Sequence, residues 1–323
     1  MNSAHDRCLP SQRDVLDMNY GASPENVFSN MYVQAYQLVR ATSPMSKNRG
    51  GGGMAGPRLM NQGVPSSSCP SGARVLYLSA GFIIEEGFPL TNLHKIARSM
   101  GEAARTAGVA IITGDTKVVE RGKADGLFIN TAGVGMVPPG IAISGDRARP
   151  GDVVLVSGSL GDHGIAIMAH RTGLEFETTI VSDSAALNGL VAEIVAAVPT
   201  VRVLRDPTRG GLAATLNEIC HQSAVGMRLD ESAIPIKPEV RGACELLGLD
   251  PLNVANEGKL VAIAPSEDAA DLLDVLRRHP LGRDAMVIGD VVADPVRFVR
   301  MATRVGGERI IDWLAGEQLP RIC

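Results

Sequence analysis

Aromatic side chains are scarce in this chain of 323 residues, which holds 6 Phe, 4 Tyr and 1 Trp. So few rings leave little on which bases could stack, and a single-strand nucleic-acid platform is excluded. One-signed charge is missing too. The 31 Lys and Arg stand against 35 Asp and Glu, and a net charge of −4 exerts no general pull toward nucleic acid or an anionic membrane. No apolar run reaches the roughly 20 residues that cross a bilayer, and no signal-like segment opens the chain, so a cytoplasmic location is expected. The five cysteines, Cys8, Cys69, Cys220, Cys244 and Cys323, are scattered and nowhere form a CxxC pair. That excludes a zinc ribbon or a disulfide framework.

What is present is a 45% apolar composition with 36 glycines, which points to tight α/β turns. A chain of this length predicts two domains. Residues 1–73 stand apart, since Gly50–Gly53, Pro57, Pro65, Ser66–Ser68 and Pro70 have linker composition and no period to bury. A divergent, disordered segment is expected there. From Arg74 the pattern sharpens. A strand at 75–78 should turn at Ser79-Ala80-Gly81, a helix should cover 90–107 with Gly108 closing it, and strands should follow at 109–113 and 127–130. These make a compact α/β unit over 74–137 that lacks enough preceding strands to look complete. After a Gly/Pro-rich crossing comes a C-terminal α+β domain at 150–312. It carries helices at 164–171, 185–197, 210–223, 239–248 and 267–278, and strands at 153–157, 201–204, 225–230, 259–264, 285–290, 297–302 and 308–311. Residues 313–323 form a tail.

Four polar turns interrupt this pattern. Gly114-Asp115-Thr116-Lys117 follows the 109–113 strand and offers an acid, a hydroxyl and an amine, a set suited to a metal-bound phosphate. The same residues also make an ordinary hairpin turn, and the sequence alone leaves both readings open. Gly158 to Gly164 joins a strand end to a helix start, where backbone N–H groups favour an anion, and Asp162 serves equally well as cap or as ligand. His163 has no second histidine at ligand spacing and reads as a hydrogen-bonded residue. Arg205 to Gly211 also lies between strand and helix, with an aspartate between arginines, Thr208 placed to cap, and two glycines that admit a close ligand. A structural Asp206–arginine pair is the alternative. Asn256-Glu257-Gly258-Lys259 could supply a carboxylate for proton transfer. The tail ends Pro320-Arg321-Ile322-Cys323, a thiol with either a carrier role or none.

With these segments in view, the chain from about Val75 onward resembles the HypE family of hydrogenase maturation factors. The resemblance rests on Tyr77–Gly87, Thr113–Val119, Phe128–Thr131, Ser157–Gly164, Asp206–Gly211, Asn256–Leu260 and Pro320–Cys323. A wider family of aminoimidazole-ribonucleotide synthetase, thiamine-monophosphate kinase and selenophosphate synthetase shares its fold and its use of ATP. The resemblance implies a two-domain, aminoimidazole-ribonucleotide synthetase-like α/β and α+β fold, here with an atypical or truncated first domain, of which 74–137 is the remnant of the N-terminal α/β ATP-binding domain. It also implies ATP-dependent dehydration of a carboxamide carried on Cys323 to a thiocyanate, the source of the cyanide on [NiFe]-hydrogenase iron. A carbamoyltransferase, HypF, would load the cysteine, and HypC–HypD would receive the product.

Carried over residue by residue, the resemblance gives proton handling to Glu257 and Lys117. Mg²⁺ falls to Asp115, Asp162 and Asp206, and the nucleotide to those three together with Thr116, Thr208, Arg209 and Gly210. A homodimer is implied as well. Residues 1–73 match none of the family's opening glycine-rich stretch, its Thr/Ser-Asp-Ser strand or its Asn-Gly-Thr-x-Asn-Asp helix, so several ATP ligands are expected to be absent. Two alternatives follow from that departure: a non-catalytic docking partner, or another ATP-dependent synthetase or kinase of the same fold.

Overall fold

The computed structural model describes residues 72–172 and 180–313. The expected linker up to residue 71 and the tail with Cys323 lie outside the described residues, as do Cys8 and Cys69.

The first unit is a three-stranded sheet under one helix. Strand β1 (Arg74–Glu85) leads through helix α1 (Leu90–Thr106) to a parallel strand β2 (Ala110–Val119), and β3 (Leu127–Met136) returns antiparallel on the other side of β1. Helix α1 packs Met100 and Ala104 on Leu78, Ala80 and Val109, so one sheet face is covered. The other is open: Tyr77, Ile83, Phe128, Val134 and Met136 keep 43–64% of their surface exposed.

Two expected turns are strands instead. Ser79-Ala80-Gly81 lies inside β1, and Gly114-Asp115-Thr116-Lys117 lies inside β2. Gly114 is there for proximity rather than for turning. A Cβ on it would sit 2.1 Å from the carbonyl oxygen of Ala80 on the neighbouring strand, so only glycine fits this close strand pairing. A register shift between Leu78 and Ser79 leaves Ile112 as an extra residue in β2 and sets Thr113, Asp115 and Lys117 opposite Ser79, Gly81 and Ile83. Because strand side chains alternate, that single bulge turns Asp115 and Lys117 onto the open face.

The second unit is a seven-stranded mixed sheet in the order β10-β9-β6-β8-β4-β7-β5. Its strands are β4 (Asp152–Val156), β5 (Val203–Arg205), β6 (Gly226–Asp230), β7 (Val261–Pro265), β8 (Met286–Val292), β9 (Val299–Ala302) and β10 (Glu308–Ile311). Its helices are α2 (Asp162–Thr172), α3 (Asn188–Ala197), α4 (Gly211–Ser223), α5 (Pro238–Leu247) and α6 (Ala269–Arg278). Both sheet faces are covered. Val154, Val156, Val261 and Ile263 meet α4 through Leu212, Leu216 and Ile219. The residues between them, Leu155, Ala262 and Ala264, meet α3 and α6 through Leu190, Ile194, Leu272 and Leu276. That is why β4 and β7 read as unbroken apolar runs. The two units touch where Ala186 packs among Leu78, Ala104, Ala107 and Val109, and where Asn188 donates to the Ala107 carbonyl at 2.6 Å. No helix among the described residues is long and apolar enough to cross a membrane.

Candidate active site

Three of the four polar segments meet at one end of the large sheet. The loop after β4 reaches α2, the loop after β5 reaches α4, and Asn256–Lys259 lies just before β7. Asn256, fully buried, ties them together. Its Oδ1 accepts from the Gly161 N–H at 2.7 Å, and its Nδ2 donates to the Pro207 carbonyl at 3.0 Å and to the Val254 carbonyl at 2.9 Å. A buried amide with its bonds filled costs nothing in lost hydration and fixes the loops that fill it. Glu257, the next residue, is fully buried at this junction.

Asp162 stands in the first turn of α2 at 1% exposure. Its Oδ2 accepts from the Ser159 hydroxyl at 2.5 Å and pairs with Lys237 Nζ at 3.1 Å, while its Oδ1 accepts no hydrogen bond. His163 is hydrogen-bonded, its Nδ1 lying 2.8 Å from the Ser182 hydroxyl. Asp206 is held by the Thr208 hydroxyl at 2.6 Å and by Arg205 at 3.5 Å. Thr208 thus bonds the carboxylate rather than capping α4, whose N-terminal position is taken by Gly210 at φ 68°. Arg205 also meets Glu218 at 2.7 Å, which makes the foot of this loop a buried ionic network. Arg209 is exposed.

Behind the junction lies a residue that no pattern in the sequence singled out. One carboxylate oxygen of Asp183 accepts the backbone N–H of Glu257 at 3.2 Å, and the other pairs with Lys259 Nζ at 3.2 Å. Together with Ser159, Asp162, Ser182 and Lys237, these two side chains line a cleft of about 260 Å³. Neither Asp183 nor Lys237 lies within a recognisable motif, and only contacts through space reveal them.

Asp115, Thr116 and Lys117 are not part of this cluster. They lie exposed along β2 in the other sheet, where Asp115 Oδ1 accepts the neighbouring Thr116 N–H at 2.8 Å. Asp115, Asp162 and Asp206 therefore sit on three separate elements, and among the described residues no three His, Cys, Asp or Glu side chains converge on a metal position. Cys220 and Cys244 are buried and free. Burial, reinforced by Asp294, pushes the Cys220 thiol up to about 12, and burial pushes Cys244 up to about 11, so neither is a reactive thiolate near neutral pH.

A small sheet carrying one helix, joined to a larger α+β unit whose glycine-rich loops gather at one sheet end, defines the class. Residues 69–137 match the N-terminal domain, and residues 149–301 the C-terminal domain, of the AIR synthase related proteins. More narrowly, the chain belongs to the HypE family of hydrogenase maturation proteins. It is similar to the carbamoyl dehydratase HypE of Rhizobium leguminosarum bv. viciae, 66% identical over 254 residues that make up 78% of this chain and 73% of that protein. The solved structure of HypE in complex with ATP is similar with a TM-score of 0.76 and 42% identity, covering 95% of this chain and 99% of that one. The HypE–HypF complex is similar with a TM-score of 0.73 and 47% identity, covering 76% and 79%.

Proposed function

We propose that this chain is an ATP-dependent carbamoyl dehydratase that converts a thiocarbamate on Cys323 into a thiocyanate during hydrogenase maturation. The observation that carries the reading is the meeting of three glycine-rich loops on Asn256, with Glu257 buried beside it. Dehydrating S–C(=O)–NH₂ to S–C≡N breaks the C–O bond and removes both N–H protons. ATP supplies the phosphoryl group that lets the amide oxygen depart as phosphate. The chain must then provide a base held away from water, and Glu257 fits that role. Lys117 is proposed as its partner in proton handling. Both it and Asp115 share the open face of the small sheet, so whatever covers that face encloses them.

The similarity to HypE with bound ATP supports a nucleotide site here, with Asp115, Thr116, Asp162, Asp206, Thr208, Arg209 and Gly210 as the proposed contacts. Mg²⁺ is proposed as its counter-ion. Asp115 is exposed and Asp162 Oδ1 accepts no hydrogen bond, so each keeps an oxygen for a cation. Asp206 is proposed as the third carboxylate on the metal side, oriented by the Thr208 hydroxyl and Arg205. HypF is proposed as the partner that loads Cys323, supported by the HypE–HypF complex, and HypC–HypD as the acceptor. A second copy is the proposed cover of the open face, since exposed apolar patches of this kind mark interaction surfaces. The proposed compartment is the cytoplasm, where the ATP for this reaction is available.

Intact mass spectrometry tests the reading. Incubated with HypF, carbamoyl phosphate and ATP, the wild-type chain should gain one carbamoyl group on Cys323 and then lose one water. Glu257→Gln should gain the adduct and retain it. Dehydration by that variant at the wild-type rate, or an adduct that survives Cys323→Ala, would overturn the assignment.

A further inference from the structure

The stretch from Ser182 to Leu187 has no regular structure and runs into α3 at Asn188, yet from Ser182 to Asn188 the chain touches three separate parts of the molecule. At its start, the Ser182 hydroxyl lies 2.8 Å from His163 Nδ1 in the first turn of α2 and also accepts the Ser184 N–H at 3.2 Å. Next, the Asp183 carboxylate grips the Glu257 N–H and the Lys259 ammonium, each at 3.2 Å, with only 3% of its side chain exposed. At its end, Ala186 packs against the first unit and Asn188 donates to Ala107 at the close of α1. The fit on the Glu257 side is tight. A Cβ on Gly258 would lie 1.8 Å from the Asp183 carbonyl oxygen, so the turn lies directly against this backbone.

We infer that Asp183 is a positioning residue for the dehydration: its carboxylate holds the backbone of Glu257 and so fixes that side chain relative to the unit carrying Lys117. The inference rests on Glu257 acting as the base. Its physical basis is the cost of misplacement. Glu257 follows Asn256, which is anchored on one side, but the Glu257 N–H has its hydrogen bond to Asp183. A charge-assisted bond to a buried carboxylate is about twice as strong as a neutral one. Lys259 Nζ pairs with the other oxygen of the same carboxylate at 3.2 Å, so both of its oxygens are engaged where it is buried. From Asp183 to Asn188 is five residues, at most about 18 Å of extended chain, so the grip on Glu257 and the dock on α1 cannot drift far apart.

The test uses the full chain, loaded on Cys323 by HypF, with single-turnover dehydration followed at several ATP concentrations. Asp183→Ala should slow the dehydration rate constant by about ten- to a hundredfold, as expected for a misplaced reacting group, with the ATP concentration at half-maximal rate unchanged. Asp183→Asn keeps an oxygen to accept the Glu257 N–H and should recover most of that loss. Amide hydrogen exchange gives a readout independent of turnover: the Glu257 N–H should be protected in the wild type and in Asp183→Asn. A wild-type rate in Asp183→Ala, equal impairment in both variants, or an unprotected Glu257 amide in the wild type would overturn the inference. The underlying reading fails separately. If Glu257→Gln dehydrates normally, Glu257 is not the base; if that variant is dead while Asp183→Ala is normal, only the positioning role is lost.

Discussion

The two sheets differ in how completely they bury themselves. The large sheet has helices on both faces, and Val154, Leu155, Val156 and Ile263 show no exposed surface. The small sheet has one helix on one face, while Val134 and Met136 remain 64% and 58% exposed on the other. A finished core and a half-finished one lie within the same chain. The finished half can hold a buried carboxylate such as Glu257 in one place, because every neighbouring group is fixed by packing. The half-finished one presents Asp115 and Lys117 on a surface that calls for a cover. On the proposed function, which draws on both halves, the chemistry is completed only when that face is closed.

Substitution in the two sheets should break this contrast most visibly. Leu155→Ala removes a fully buried side chain between α3 and α6 and should destabilise the fold by about 2–5 kcal/mol. Val134→Ser on the open face should cost no more than about 0.5 kcal/mol in the isolated chain, as ordinary surface changes do. Chemical denaturation measures both. Sedimentation of the Val134→Ser variant should show more monomer than the wild type, and an unchanged distribution would tell against a second copy on this face.

Two glycines sharpen the comparison at a smaller scale. A Cβ at Gly258 would meet the Asp183 carbonyl oxygen at 1.8 Å, and one at Gly114 the Ala80 carbonyl oxygen at 2.1 Å. Overpacking costs typically about 1–3 kcal/mol. Gly258→Ala should lie at the upper end, because its turn is enclosed. Gly114→Ala should lie at the lower end, because β2 is an edge strand and can move away. Equal losses in melting experiments would mean that β2 is held as firmly as the interior of the large sheet.

The smallest effect concerns pH. Glu85 at the end of β1 accepts the N–H groups of Gly122 and Gly126, and these bonds hold its carboxyl below the usual glutamate value of 4.5. A depressed folded-state pKa means that its contribution is complete above the unfolded value and is lost as pH falls through the folded one. Amide exchange at Gly122 and Gly126 should therefore quicken, beyond its intrinsic pH dependence, only below the ordinary glutamate range. Glu85→Gln should abolish that extra step. No comparable step is expected at the amides of β4.

Helix periods were plain in the sequence. The 90–107 pattern became α1 at Leu90–Thr106, and the helices expected at 210–223 and 267–278 became α4 and α6 within two residues at either end. The strands of the small sheet were harder to read. Gly81 and Gly114 look like turn residues, yet neither has a positive φ, and both continue a strand. Local composition cannot distinguish a glycine that bends the chain from one that lets a neighbouring strand come close.

What the sequence determined by itself was therefore local. It set the apolar runs of β4 and β7, the glycine-rich loops, and the family motifs that contain Asp162, Asp206 and Glu257, since each is written in residues a few positions apart. The tertiary structure alone decided which of these meet. Asn256 gathers residues 161, 207 and 254, and Asp183 reaches 74 positions along the chain to hold Glu257. The bulge at Ile112 chose the face on which Asp115 and Lys117 stand. A buried polar group is satisfied by whatever packing brings within about 3 Å, and partners distant in sequence leave no local pattern to read.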